Sequence, residues 1–253
     1  MTVGRDTTLA QDVAAEPALR RDLAACFRLV ALEGWTDLIA NHISVRIPGT
    51  DEFLLNPFGM LFEEITASGL LRVDTAGEAV GASDWPVNRA AFVIHSAVHM
   101  ARPDVGCVIH IHTRDGVAVS CLADGLLPVN QTAMLATAGK PIAYHDYEGP
   151  AFDLSERQRL VDDLGESHLM FLRNHGTLAT GGTVAQAFSR IYRLEWACAA
   201  QVRALSMGLP LSQPSAKSRE RTQALAAGGG HVTELLWAAL LRKLDRIDPS
   251  YRD

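Results

Sequence analysis

Apolar positions recur along this chain in two rhythms, and the switching between them predicts alternating helices and strands. Leu19, Leu23, Phe27 and Val30 fall three to four residues apart, which places them on one face of a helix over Pro17–Glu33 that stops at Gly34. Branched apolar residues then crowd into short bounded runs, so Ile39–Ile47 and Phe53–Asn56 read as strands about a Pro48-Gly49 turn. Helical spacing returns after Ser83-Asp84-Trp85-Pro86, at Phe92, Ile94, Ala97 and Val98, and breaks at Arg102-Pro103-Asp104. Val105–His112 reads as the next strand. Val117–Leu122 is apolar as well, but so short a run does not separate strand from helix.

The second half repeats the alternation. Ser155-Glu156-Arg157-Gln158 has the form of a capping box and predicts a helix over Glu156–Leu164 before Gly165. His168–Leu172 reads as a buried strand entering the turn Arg173-Asn174-His175-Gly176. A second box, Thr183-Val184-Ala185-Gln186, opens a long helix from Val184 to Met207 with Phe188, Ile191 and Leu194 on its apolar face. A final amphipathic helix is expected over Val232–Leu244. Helices alternating with strands point to an α/β sandwich. Residues 1–16 lack a usable period and are expected as a flexible N-terminal segment. Residues 17–253 form one domain, including a C-terminal extension that ends in the terminal helix. Within that extension Gly208–Gly230, with Pro210, Pro214 and three consecutive glycines, is expected as an exposed connection.

Composition narrows the class. With 48% hydrophobic and 21% charged residues in 253, the chain can enclose a substantial core. A formal charge of -6, without a concentrated Lys/Arg run, gives no reason to expect a nucleic-acid partner. Cys26, Cys107, Cys121 and Cys198 are scattered without zinc-finger spacing, and the N-terminus does not have the form of a signal peptide, so a reducing cytoplasm is expected. Apolar stretches are interrupted well before the roughly 20 residues needed to cross a bilayer, so no membrane partner is expected.

The chemistry concentrates in histidines. Residues i and i+2 of a strand share a face, so His110 and His112 can direct two imidazoles at one cation, and His175 adds a third if its turn returns beside them. Three neutral nitrogens leave coordination positions open for water or an oxygen ligand on a divalent ion. Zinc is the first expectation, with manganese or iron also accepting imidazole. The alternative for any HxH pair is a set of exposed or hydrogen-bonded core histidines. His95 and His99, four apart on a helix, share a face and read as core residues or as groups that orient the ligands.

Three segments in order, Ile39-Ala40-Asn41-His42-Ile43-Ser44-Val45-Arg46, then His95–Asp104 leading to His110-Ile111-His112, then Arg173-Asn174-His175-Gly176, resemble the class II aldolase/adducin superfamily over residues 20–207. The resemblance implies a three-layer αβα sandwich around a mixed or antiparallel sheet. It also implies a homo-oligomer, usually a tetramer with sites near subunit boundaries, and His110, His112 and His175 as the metal triad. By the same resemblance a catalytic glutamate is expected nineteen positions before the first histidine of HxH; Ala91 stands there. The two serines expected just before it are replaced by Arg89 and Ala90. Asn41, Ser44, Thr66 and Ser68 correspond to anion-binding positions, and Arg89 is a candidate clamp replacing the lost serine donors. Glu148, His145, Asp84 and Tyr192 are candidates for the lost proton-transfer group, with Glu195 beside Tyr192 at a substrate rim.

The expectation is therefore a divalent-metal lyase, performing aldol cleavage or decarboxylation on a small anionic oxygenated carbonyl compound. Two alternatives stay open: a non-haem iron oxygenase on the same fold, and an adducin-like binding or assembly module without catalysis.

Overall fold

The computed structural model describes residues 4–226 and 230–253. It opens with α1 (Gly4–Leu32), β1 (His42–Arg46), β2 (Phe53–Leu55), β3 (Leu71–Val73), α2 (Arg89–Ala101), β4 (Cys107–Ile111) and α3 (Arg114–Ser120). Then come α4 (Gln131–Ala136), β5 (Ala143–His145), α5 (Glu156–Leu164), β6 (Leu169–Leu172), β7 (Gly176–Gly181), α6 (Val184–Ser206), α7 (Ala216–Ala226) and α8 (Gly230–Ile247). The strands form one mixed sheet in the order β3-β2-β1-β4-β7-β6-β5, antiparallel throughout except for β5 against β6.

Helices cover both faces, giving the αβα sandwich. On one side Val93, Ile94 and Val98 of α2 and Leu160 and Leu164 of α5 pack on Val108, Met170, Leu172 and Leu178. On the other, Phe27 of α1, Ile191 and Leu194 of α6 and Trp237 and Leu244 of α8 share a core with Ile43, Cys107, Ile109, Ile111 and Phe171. Burial on both sides explains why the strands read as almost continuous apolar runs. It also fixes where their polar exceptions point. Cys107, Ile109 and Ile111 face α1 and α6, so Val108 and His110 face α2, and the same alternation turns His42 and Ser44 of β1 toward α2.

Several boundaries differ from the sequence reading. The helical backbone of α1 begins at Gly4, so residues 4–16 extend the helix and Pro17 lies inside it, forgoing its own amide bond. Residues 1–3 lie outside the described residues. The stretch from Gly208 to Gly230 contains α7; Gly228 and Gly229 of the glycine run are outside the described residues. Val117–Leu122 belongs mostly to α3, capped by Thr113, whose side chain accepts the Gly116 amide. The box at Ser155 does not form: Asp153 takes the Ser155 amide, Ser155 makes no cap bond, and Glu156 turns inward to His145. At Thr183 the cap does form, accepting from Gln186. β3, α4, β5 and β7 were not foreseen. β7, Gly-Thr-Leu-Ala-Thr-Gly, carries little of the β-branched signal, yet it is ordered by pairing with β4 on one side and β6 on the other. Among the described residues no helix is long and apolar enough to cross a membrane.

Candidate metal centre

Sheet register builds the site. β4 and β7 pair His110 with Leu178 and Ile111 with Thr177, so the end of β4 lies beside the start of β7 and the turn before it. That turn carries His175, with Asn174 in the left-handed region at φ 57° and the His175 amide bonded to the Leu172 carbonyl at 3.1 Å. Gly176 is needed for close approach. A Cβ there would stand 2.7 Å from the Ile111 carbonyl oxygen and 2.8 Å from Cδ2 of the His112 ring.

The three imidazoles converge. His110 Nε2 is 2.9 Å from His112 Nε2 and 3.3 Å from His175 Nε2, and the donor atoms of all three lie within 4.8 Å of one another. Metal–nitrogen bonds of about 2.0–2.1 Å in a tetrahedron put nitrogens about 3.4 Å apart, so small adjustments seat an ion. The opposite ring nitrogens fix the tautomers. His110 Nδ1 lies 2.9 Å from the Thr177 carbonyl, and His112 Nδ1 lies 3.1 Å from Oδ2 of Asp37; a proton on each Nδ1 leaves the Nε2 lone pair facing the centre. The Asn41 side chain accepts the His112 amide at 2.9 Å and donates to the Trp35 carbonyl, holding the strand exit in place.

Electrostatics favours the metal-ready form. Burial holds His110 well below the ordinary histidine value, reinforced by His112, His175 and His42. Burial, with His112 and His145 nearby, brings His175 down to about 4, and burial lowers His112 against the opposing pull of Asp37. All three are neutral at pH 7 and need lose no proton to bind a cation. The donor set and its spacing therefore fit a divalent ion.

Behind the triad runs a buried chain of polar contacts. The His42 ring lies tilted 5.0 Å from that of His110; His42 Nδ1 is 2.7 Å from His95 Nε2; Ser44 Oγ sits 2.5 Å from His95 Nδ1 and 2.7 Å from His99 Nε2. His95 and His99 thus lie behind the ligands, as their helical spacing suggested.

The remaining sequence candidates are dispersed. Asn41 and Ser44 are fully buried and committed to the bonds just given. The Thr66–Gly69 turn lies elsewhere: the Ala67 and Ser68 amides, which would cradle an anion, donate to the carbonyls of Tyr251 and Asp253, and Thr66 Oγ1 accepts the Gly69 amide. Ser68 opens on a separate cavity of about 300 Å³ with Arg20 and Arg72. Arg89, exposed at the start of α2, donates to the Phe152 carbonyl at 3.2 Å. Asp84 is exposed in the preceding connection. Glu148 is also exposed and is clamped by Arg159, which holds its carboxyl below the usual range. Both ring nitrogens of buried His145 face carboxylates, Asp163 at 2.7 Å and Glu156 at 3.3 Å. The position of the missing glutamate is apolar in fact as well as in sequence, since Ala91 is fully buried among Phe53, Leu55 and Phe92.

Other residues do reach the centre. Asp37 and Thr177 orient two ligands. Tyr147, exposed on the connection after β5, places its ring 6.4 Å from that of His175. Tyr192, Trp35, Trp196 and His112 line a cavity of about 560 Å³ whose floor includes Thr113 and Glu195. Burial pushes Glu195 up to about 7 against the lowering effect of its bonds from Thr113 and Thr177. Tyr192 and Glu195 were candidates from their spacing on the long helix, whereas Asp37, Thr177 and Tyr147 were not singled out; the one local signal for Asp37 is an acidic group just before the Asn41 segment.

The Class II Aldolase and Adducin N-terminal domain family matches residues 21–202. The chain belongs to this family. A Caulobacter vibrioides protein assigned provisionally to aldolase class 2 is 49% identical over 242 residues, covering 94% of this chain and 93% of its own. Rat alpha-adducin is 41% identical over 249 residues, which span 92% of this chain but 34% of the adducin. An aldolase II superfamily protein from Pseudomonas syringae, solved by crystallography, superposes with a TM-score of 0.89 at 47% identity, over 94% of this chain and 96% of that one. The class II aldolase/adducin fold is thereby established, and Ala91 stands where the family resemblance implied a glutamate.

Proposed function

We propose that this chain is a divalent-metal-dependent carbon–carbon lyase, acting by aldol cleavage or decarboxylation on a small anionic oxygenated carbonyl compound. The observation that carries the reading is the convergence of His110, His112 and His175 through Nε2, with the Nδ1 atoms of two of them held by Thr177 and Asp37. A bound ion, with zinc first and manganese or iron also accepted by imidazole, supplies Lewis-acid polarisation of a substrate carbonyl. The protein supplies the rest. Thr177 and Asp37 keep the ligand rings from rotating, and Asn41 fixes the backbone at His112. Because Glu148 and His145 are engaged by Arg159 and by Asp163 with Glu156, we assign proton transfer to the exposed phenol of Tyr147 beside His175. His145 then acts on His175 through its charge environment. Tyr192 forms part of the wall of the adjoining cavity, and Arg89 stays a candidate for attracting the anion at the head of α2. A homotetramer is proposed on the family resemblance.

Two observations favour a second reading, an adducin-like assembly module: the glutamate position is apolar core, and alpha-adducin shares 41% identity with the chain. Purification without added metal, followed by metal analysis and turnover assays with and without oxygen, separates the readings. A bound divalent ion and oxygen-independent cleavage, both lost in His112→Ala, support the lyase. Turnover only with oxygen and iron replaces it with an oxygenase, and metal-free protein with unchanged assembly replaces it with the scaffold.

A further inference from the structure

Glu195 is a buried carboxyl group that reaches the wall of the cavity of about 560 Å³. It is 2% exposed and projects from α6 among the buried residues Ile191, Leu194 and Cys198. A buried carboxylate is retained without loss of stability only when hydrogen bonds replace its water. Here both oxygens are engaged: Oε2 accepts the hydroxyl of Thr113 and Oε1 the hydroxyl of Thr177. The two threonines belong to different ligand-bearing elements. Thr113 directly follows His112 and also accepts the Gly116 amide at 2.9 Å, so its hydroxyl is used in both senses. Thr177 lies two residues past His175, pairs with Ile111 across the ladder, and offers its carbonyl to His110 Nδ1. The surroundings are shaped for the group, since a Cβ on Gly116 would come within 2.9 Å of Oε2 and 3.0 Å of Oε1.

We propose that Glu195 is a positioning residue for the metal triad: its carboxyl group ties the exit of β4 to the entry of β7 and so sets the separation between His110 and His112 on one side and His175 on the other. It touches none of the three imidazoles in the hydrogen-bond network and acts through Thr113 and Thr177. The proposal rests on the metal reading given above for its function, but its geometric content concerns the imidazoles themselves.

The full-length protein is titrated with cobalt(II), following affinity and the visible absorption of the ion, in wild type, Glu195→Gln, Thr177→Val and Thr177→Ser. Outer groups of this kind change metal affinity by about 10-fold or more. The expected result is a loss of that size with a changed cobalt spectrum in Glu195→Gln and Thr177→Val, and near-wild-type behaviour in Thr177→Ser, which restores the hydroxyl. Gln201→Ala serves as a control for stability alone: this buried α6 residue holds the Leu127 amide and the Gly125 carbonyl, away from the triad. It is expected to lower the melting temperature while keeping affinity and spectrum. If Glu195→Gln does not fold, the Thr177 pair carries the test. Affinity and spectrum within about twofold of wild type in both Glu195→Gln and Thr177→Val overturn the proposal. If wild type binds no cobalt, the metal reading fails, and positioning is judged on metal-free crystals. An unchanged His110–His175 Nε2 separation, 3.3 Å here, in Thr177→Val then overturns it, and a widened one sustains it.

Discussion

Acid should unfold this protein through the neutral histidines behind the triad, and His99 gives the clearest magnitude. It is 4% exposed, packed against the Phe53 ring at 5.3 Å, bonded to Ser44, and close to His95 and Arg46. Burial first, and the Arg46 charge second, bring it from 6.5 down to about 3. The unfolded chain therefore takes up a proton at His99 below pH 6.5, while the folded protein resists until about pH 3. Protons favour unfolding throughout that window: the stabilisation is complete above 6.5 and is lost as pH falls toward 3. At about 1.36 kcal/mol per unit, the two units between 6.5 and 4.5 correspond to about 3 kcal/mol. That is a large share of the roughly 5–15 kcal/mol that holds a domain folded. His42 and His95, also held below the ordinary value by burial, act in the same direction. The assay is urea unfolding at pH 7.5 and 4.5, at constant ionic strength, of wild type and His99→Gln, which keeps a polar group for Ser44 but does not titrate. The wild type is expected to lose about 3 kcal/mol more than the variant between the two pH values. Equal losses in the two proteins would refute the reasoning.

Three further outcomes are expected. Asp37→Asn removes the charge on His112 Nδ1 and should weaken divalent-metal binding about 10–100-fold by calorimetric titration, with thermal stability nearly unchanged because Asp37 is half exposed. Gly176→Ala forces a methyl against the Ile111 carbonyl and the His112 ring. It should destabilise by about 1–3 kcal/mol in denaturant unfolding and weaken metal binding as well; wild-type values for both would show the turn to be more yielding than its contacts indicate. Phe27→Ala empties a fully buried position whose ring meets Phe62 edge-on at 4.6 Å, and should cost about 3–5 kcal/mol in the same experiment without altering metal affinity once folded.

The long, strongly periodic elements were legible in the chain. α2, β4, β6 and α6 appear where the apolar spacing put them, because burial of one helix face, or of both faces of a strand, demands that spacing whatever the neighbours are, while α5 appears where a capping-box pattern placed it although that box does not form. The histidine cluster was legible for a related reason: two histidines at i and i+2 share a face in any strand, and His175 in its turn was named as the third, a choice the family resemblance strengthened. What the chain could not show was anything settled by a partner remote in sequence. β7 has a weak strand signal and exists by pairing with β4 and β6. The Thr66–Gly69 turn has the residues of an anion cradle, yet its amides are taken by Tyr251 and Asp253, far along the chain. Glu148 and His145 carry the chemistry of a base until Arg159, Asp163 and Glu156 are placed against them. Local spacing fixes which face a side chain occupies. Which donor, acceptor or charge stands opposite depends on how the sheet is threaded and how the helices lie across it, and at Asp37, Thr177 and Glu195 only the folded structure decided that.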